Sequence, residues 1–411
     1  MTQKAKKALM IGSMCFFSYL AVYLARNILS AVTPAMQSQG FAKESIGLAS
    51  SIYFYTYAVG QLINGLIGNK VKAKYMMCFG LAFAGISHLL FAYLTHTNGS
   101  FGDIPLSAYV AYGAAGFSLS MIYGPMTKIV SENLEMPYTT RCSLGYTFAS
   151  YFGSPVAGLL ATFLAWQSVF YTASTVLIVM AVTVFITFLL FERKGIIVYG
   201  RFQREKKQGK RGSLRLLLDR QIVKFSFISV LTGIVRTSVL FWLPDYFAER
   251  LSMANEEATL TFTVASLFIS CGAFLVIFLY EKLFHYDMNK TVLVMFACAA
   301  AGFTLTYFIP LPALNVVTVV LSIMASNGAA TMLWSHYCPS LRDTGMVSGA
   351  TGFLDFLSYM AAATANIVFP FLIEKQHWPW DRIVLIWLAL MVVGVGTALP
   401  WRKLRKGAAK E

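Results

Sequence analysis

Long apolar runs separated by short polar breaks fill this chain, and the length of the runs sets the class of fold. Stretches of about 20 apolar residues, enough for a helix to cross a bilayer core, fall near 8–33, 45–68, 74–95, 105–130, 142–165, 168–191, 221–247, 258–280, 289–309, 313–334, 345–372 and 380–400. No period-2 alternation runs through them, and they far exceed the length of a barrel strand. In hydrocarbon every backbone group needs an internal partner, which leaves helices as the solution. The pattern predicts an all-α membrane protein of about twelve transmembrane helices. A polar stretch over 192–220 divides it into one six-helix bundle over 1–191 and a second over 221–411. The first run is read as the first span, since it is too long for the apolar part of a cleavable signal.

Composition sharpens this. Hydrophobic residues make up 57% of the chain and charged ones 12%, too apolar a balance for a soluble globule. The net charge of +15 raises the question of nucleic acid, and its placement answers it. Lys4, Lys6 and Lys7, then Lys70, Lys72 and Lys74, the central loop from Arg193 to Arg220, and the tail from Arg402 to Lys410 all fall in breaks on one side of the predicted membrane. Breaks on the other side carry Asp103, Glu249, Glu256 and Glu257. The positive-inside rule then makes both termini and the central loop cytoplasmic, in a multi-pass protein of the plasma membrane (a bacterial inner membrane). The basic belt suits a bilayer of anionic lipid, and no nucleic-acid partner is expected. The six cysteines form no C-x-x-C pair and read as packing residues, with no metal site. No P-loop, H-E-x-x-H or G-x-S-x-G is present, so neither an enzyme nor a cofactor is expected.

Two arginines carry the chemistry. Arg26 and Arg236 stand inside apolar spans, one in each half, and each is followed eight positions later by a proline, Pro34 and Pro244. A guanidinium in a membrane span is costly and persists where it lines a cavity or binds something. Two at matching places in related halves suggest one central anion site, since a guanidinium fork makes bidentate bonds to phosphate or carboxylate. Weak likeness between two six-span halves joined by a basic loop is the layout of the major facilitator fold, with two pseudo-symmetric bundles.

The resemblance is more specific than that. Tyr19, Tyr23, Arg26 and Asn27 resemble the first helix of the organophosphate:phosphate antiporters, the branch of glycerol-3-phosphate and hexose-phosphate transporters, where two tyrosines four apart precede Arg-Lys. Arg236 followed by Trp242, Pro244 and Tyr246 is similar to the seventh-helix pattern of that branch, and Gly345, Gly349 and Gly352 to its glycine-rich eleventh helix. The resemblance implies a secondary transporter of a small organic anion working by alternating access, usually as a monomer, with Arg26 and Arg236 clamping the anionic group. It implies a pocket lining from Tyr19, Tyr23 and Tyr57, and cytoplasmic gate charges at Lys128, Glu132 and Arg141.

The departures are informative. Asn27, Gln61 and Ser150 stand where the branch has a lysine, a lysine and a histidine, while Asp355 replaces a glycine. Fewer cations and an added carboxylate suit a ligand less negative than a sugar-phosphate dianion. They count against inorganic phosphate as the exchanged partner and leave a proton as the other coupling species. Asp355 has two readings, a proton carrier or a charge partner for an arginine. Asn69 stands where the superfamily's loop between the second and third spans often has an aspartate, which weakens that hinge. Because the coupling groups are thinned, a transporter-like membrane sensor of a sugar phosphate is the alternative function.

Overall fold

The computed structural model describes residues 2–67, 71–98, 103–135, 138–199, 218, 221–341 and 347–399. Gly68, Asn69, Lys70 and Gly345, most of the basic linker and the C-terminal tail lie outside the described residues. The described chain is overwhelmingly helical: α1 (Gln3–Ser38), α2 (Lys43–Ile67), α3 (Ala73–Asn98), α4 (Leu106–Leu119), α5 (Tyr123–Asn133), α6 (Tyr138–Phe163), α7 (Trp166–Arg193), α8 (Ile222–Gly233), a π-helical turn (Ile234–Val239), α9 (Leu243–Arg250), α10 (Asn255–Lys282), α11 (Met288–Phe308), α12 (Pro312–Met332), a second π turn (Leu333–Tyr337), the single turn α13 (Cys338–Ser340), α14 (Val347–Glu374) and α15 (Trp380–Ala398). Among the described residues, nine helices are long and apolar enough to cross a membrane. Two predicted runs are interrupted. The run 105–130 breaks at 120–122 into α4 and α5, and the run 221–247 passes through a π turn before α9. Window-averaged hydropathy is blind to both interruptions because the apolar residues around them outweigh Ser120 and the Arg236-Thr237-Ser238 step.

The chain divides into two compact units, and three helical rods of the second half contribute to both. The first contains Met1–Gly209 together with Phe241–Leu267 and Asn366–Glu374. Within it α1 packs along α6 and α7, α3 against α4 and α7, and α2 against α4. Helix α1 starts at Thr2, whose hydroxyl accepts from the Ala5 N–H (3.3 Å), a side-chain cap for an otherwise orphaned donor. At the end of this unit that carries the basic breaks, Lys4 pairs with Glu135 (2.9 Å), and Lys72 and Lys74 pair with Glu192. At the opposite end the Trp166 indole donates to Gln39 (2.7 Å) and the Ser45 hydroxyl to Asp103 (3.1 Å).

The second unit contains Lys210–Leu240, Phe268–Ala365 and Lys375–Glu411. Here α11 lies between α12 and α15, and α8 touches both α12 and α15. Lys224, at the start of α8, is buried and donates to Asn289 (3.0 Å) and to the Ala398 carbonyl (2.9 Å). An ammonium at the C-terminus of α15 satisfies open carbonyls and complements the helix dipole.

One close approach fixes the geometry around Arg26. Gly153 of α6 backs onto Tyr23 of α1 so tightly that a Cβ there would lie 2.5 Å from the Tyr23 carbonyl carbon and Cβ. Gly153→Val should therefore force α6 away from α1 and lower stability by about 1–3 kcal/mol, the usual cost of overpacking. Denaturation of the purified variant in detergent checks this, and an unchanged midpoint would contradict it.

Candidate functional site

In the first unit Arg26 is buried, and its guanidinium is ringed by aromatic faces. Its central carbon lies 5.2 Å from the Tyr23 ring, 5.1 Å from Phe54 and 5.3 Å from Tyr57. Tyr23 precedes it by one turn on α1, while Phe54 and Tyr57 are one turn apart on α2, so two helices build the cage. Each such contact contributes about 0.5–2 kcal/mol, well below what a charge loses on leaving water. The rings of two helices thus pack against the buried cation from three sides.

The phenols extend outward from there. The Tyr19 ring meets Tyr23 (4.9 Å between centroids), Tyr123 (5.7 Å) and Tyr146 (6.0 Å), and Tyr53 stacks on Tyr57 (6.4 Å). Of the predicted lining, Tyr19, Tyr23 and Tyr57 thus come together with Arg26. Asn27 turns its amide nitrogen back onto the Tyr23 carbonyl (2.7 Å). Gln61, half-buried, follows Tyr57 by one turn on α2, and Ser150, half-buried, follows Tyr146 by one turn on α6, so each shares a helix face with a tyrosine of the cluster. His88 is buried behind α1. Its ring nitrogens lie against the carbonyls of Ala84 (2.8 Å) and Ala25 (3.2 Å), boxed by Tyr53, Tyr112 and Phe170. It pins the backbone one residue before Arg26.

In the second unit Arg236 is half-buried within the first π turn. Such bulges expose backbone groups and often occur at functional positions. Its Nη2 donates to the hydroxyl of buried Tyr359 on α14 (3.2 Å). Asp355, half-buried, lies one turn before Tyr359 on the same helix. The shared spacing from arginine to proline does not give shared local structure. Pro34 sits inside α1, whereas Pro244 lies in the first turn of α9, where a missing N–H is harmless.

The gate candidates fall at the basic end of the first unit. Lys128 and buried Glu132 are one turn apart on α5. Arg141 is exposed on α6 and lies over the Tyr138 ring (5.9 Å). Among the described residues no group of three or more His, Cys, Asp or Glu could hold a metal ion.

Sequence reasoning passed over Phe54, Tyr123, Tyr146 and Tyr359. The run Tyr53-Phe54-Tyr55-Thr56-Tyr57 could have flagged Phe54. Nothing in the pattern marks the other three, since a tyrosine in an apolar helix is common.

The profile of the Major Facilitator Superfamily matches residues 15–365. The chain belongs to the Major Facilitator Superfamily. Among its relatives within this superfamily is a glycerol-3-phosphate transporter of Bacillus subtilis, 22% identical over 94% of this chain and 90% of that protein. Another is the membrane sensor protein UhpC of Escherichia coli, 21% identical over 90% of this chain and 87% of that protein. Both agree with the resemblance read from the first and seventh spans. A crystal structure of a D-xylose-proton symporter shares the fold, with a TM-score of 0.71 at 13% identity over 95% of this chain and 96% of that one.

Tyr359→Phe removes the acceptor for Arg236 while keeping the ring. A hydrogen bond to a charged group lost in this way should lower stability by about 1–3 kcal/mol. Denaturation of the purified variant in detergent measures it, and an unchanged midpoint would contradict it.

Proposed function

We propose that this protein is a secondary active transporter of a small organic anion, an organophosphate or a related phosphorylated or carboxylated metabolite, moved by alternating access. The reading has twelve spans in two six-helix bundles (1–191 and 221–411) joined by a cytoplasmic linker. Arg26 and Arg236 hold the anionic group, and the tyrosines around Tyr19 and Tyr57 pack the body of the ligand. The observation that carries it is the buried Arg26 guanidinium with Tyr23, Phe54 and Tyr57 about it. A guanidinium keeps its charge near neutral pH and its fork matches phosphate or carboxylate, so a buried one among aromatic rings suits an anion with an organic body. The relative named a glycerol-3-phosphate transporter supports the substrate class. Neutral side chains at Asn27, Gln61 and Ser150 favour a ligand of lower charge than a sugar-phosphate dianion. Energy comes from antiport, with inorganic phosphate as one candidate, or from proton symport, with Asp355 as the candidate carrier.

One observation favours a second reading, in which the protein senses a sugar phosphate and signals to a partner. The similarity to a membrane sensor protein extends over 90% of the chain. Proteoliposomes separate the two readings, because a transporter accumulates labelled anion against its gradient and a sensor binds without accumulating it.

The first test is thermal stabilisation of the purified protein by phosphate, glycerol 3-phosphate, hexose phosphates, carboxylates and phosphodiesters. A ligand that binds only the folded state raises the melting temperature with occupancy. Stabilisation by one of these classes, lost in Arg26→Ala, is the expected result. Arg26→Lys keeps the charge and loses the fork, so affinity should fall about tenfold or more. Normal binding by both Arg26→Lys and Arg236→Lys would sink the two-arginine clamp.

A further inference from the structure

Midway along α3, both ring nitrogens of one histidine face hydrogen-bond acceptors. His88 is fully buried. Its Nδ1 lies 2.8 Å from the carbonyl oxygen of Ala84, one turn earlier on α3, and its Nε2 lies 3.2 Å from that of Ala25 on α1. A carbonyl oxygen only accepts, and a neutral imidazole carries one N–H and one lone pair. In either neutral tautomer, then, one nitrogen turns a lone pair toward an oxygen. The imidazolium carries two N–H groups and satisfies both contacts. Its Nε2–H would also fasten α3 to α1 at the residue before Arg26.

The surroundings decide when that second proton is held. Tyr53 from α2, Tyr112 from α4 and Phe170 from α7 enclose the ring, at 6.5, 5.6 and 6.1 Å between centroids. The two phenols are the titratable groups that face it. Helix α5, which also packs on α3, carries its charges Lys128 and Glu132 toward the basic end of the unit. On α1 the cation Arg26 directly follows Ala25. From the His88 ring, Tyr53 leads to Tyr57 (6.4 Å) and Tyr57 to the Arg26 guanidinium (5.3 Å). Like charges in one apolar block disfavour each other, and an opposite charge beside one of them lowers that cost. The Arg26 cation therefore opposes an imidazolium at position 88, and an anion bound at Arg26 favours it.

We propose that His88 is a proton site that fills as an anion binds at Arg26, so that the protein takes up one proton with each anion. This role rests on the anion-transport reading and deepens it, since it assigns the coupled proton to α3, against the helix that positions Arg26. Linkage sets the sign. An anion that raises the proton affinity of His88 is itself bound more tightly, by the same factor, when the proton is present. Anion affinity then falls as pH rises, by up to about tenfold per pH unit. The fall spans the interval between the pH at which His88 ionises without anion and the higher pH at which it ionises with anion bound.

Histidine ring nitrogens report their own protonation by nuclear magnetic resonance. The chain has five histidines, so the His88 signal is assigned by its loss in His88→Gln. Purified protein with isotope-labelled histidine is titrated from about pH 8 to about pH 5, with and without saturating glycerol 3-phosphate. The His88 signal should reach the imidazolium position at least about one pH unit higher with the anion than without it. Arg26→Gln removes the opposing cation and should move the signal in the same direction with no ligand present. Binding titrations give a second readout. The gain in glycerol 3-phosphate affinity from about pH 8 to about pH 6 should be at least about fivefold larger in the parent than in His88→Gln, which cannot ionise. The ligand's own ionisation cancels in that comparison. A His88 signal that ignores both the anion and Arg26→Gln overturns the proton site, as does a pH profile shared by the parent and His88→Gln. Where glycerol 3-phosphate does not bind, the anion reading fails for this probe, and the shift in Arg26→Gln alone decides the role of His88.

Discussion

A guanidinium cannot give up its proton near neutral pH, so a chain that places Arg26 in an apolar span must build its surroundings around a permanent charge. The packing of the first unit follows from that need. Helix α2 has to approach α1 closely enough for Phe54 and Tyr57 to face the cation, and Gly153 removes the side chain that would keep α6 off Tyr23. His88 ties the carbonyl of Ala25, next in sequence, to α3, so the arginine's height along the helix is set by backbone contacts as well as by its own. Tyr19 is wedged between Tyr23, Tyr123 and Tyr146, which couples α5 and α6 to the same cluster. Aromatic faces stabilise a cation less than water does. The cluster therefore contributes to Arg26's burial as packing more than as charge compensation.

The second arginine is handled differently. Arg236 leaves the regular helix through a π turn and takes a hydroxyl, from Tyr359, as its neighbour. A hydroxyl that accepts from a guanidinium can donate its own proton at the same time, so a phenol suits this position better than a carbonyl would. The two halves share a spacing in sequence and part company in structure, because Pro34 is absorbed inside α1 while Pro244 opens a new helix after the turn. Weak sequence symmetry predicts corresponding positions. It does not predict corresponding backbone.

What could be read from the chain was what the bilayer enforces. Long helices follow from unsatisfied backbone groups in hydrocarbon, and an arginine in a span stands out because its burial is costly. Tyr19, Tyr23 and Tyr57 were legible by their helical spacing and their likeness to a family pattern. Tyr123, Tyr146 and Tyr359 were not, since an aromatic ring in an apolar helix has no signature of its own and joins a site only through tertiary packing. The break between α4 and α5 was hidden for a related reason. At 120–122 the backbone tightens to three-residue steps, Met121 to Ser118 and Ile122 to Leu119, and one serine in an apolar run does not announce it.

Trp242, Pro244 and Tyr246 carry the likeness to a transporter pattern, and two of them are packing residues: Tyr246 is fully buried and Trp242 lies against Gly47. The cations missing at positions 27, 61 and 150 are missing near Arg26, and Asn27 uses its amide on the backbone of Tyr23. A strongly negative ligand would find one guanidinium and a wall of phenols in this unit. Phenols donate single hydrogen bonds and offer apolar faces, a surface that discriminates by the shape and hydroxyl pattern of a carbon skeleton more than by total charge. Such a surface suits the proposed ligand, an anion of low charge with a substantial organic body, met at its charged end by arginine and along its length by tyrosine.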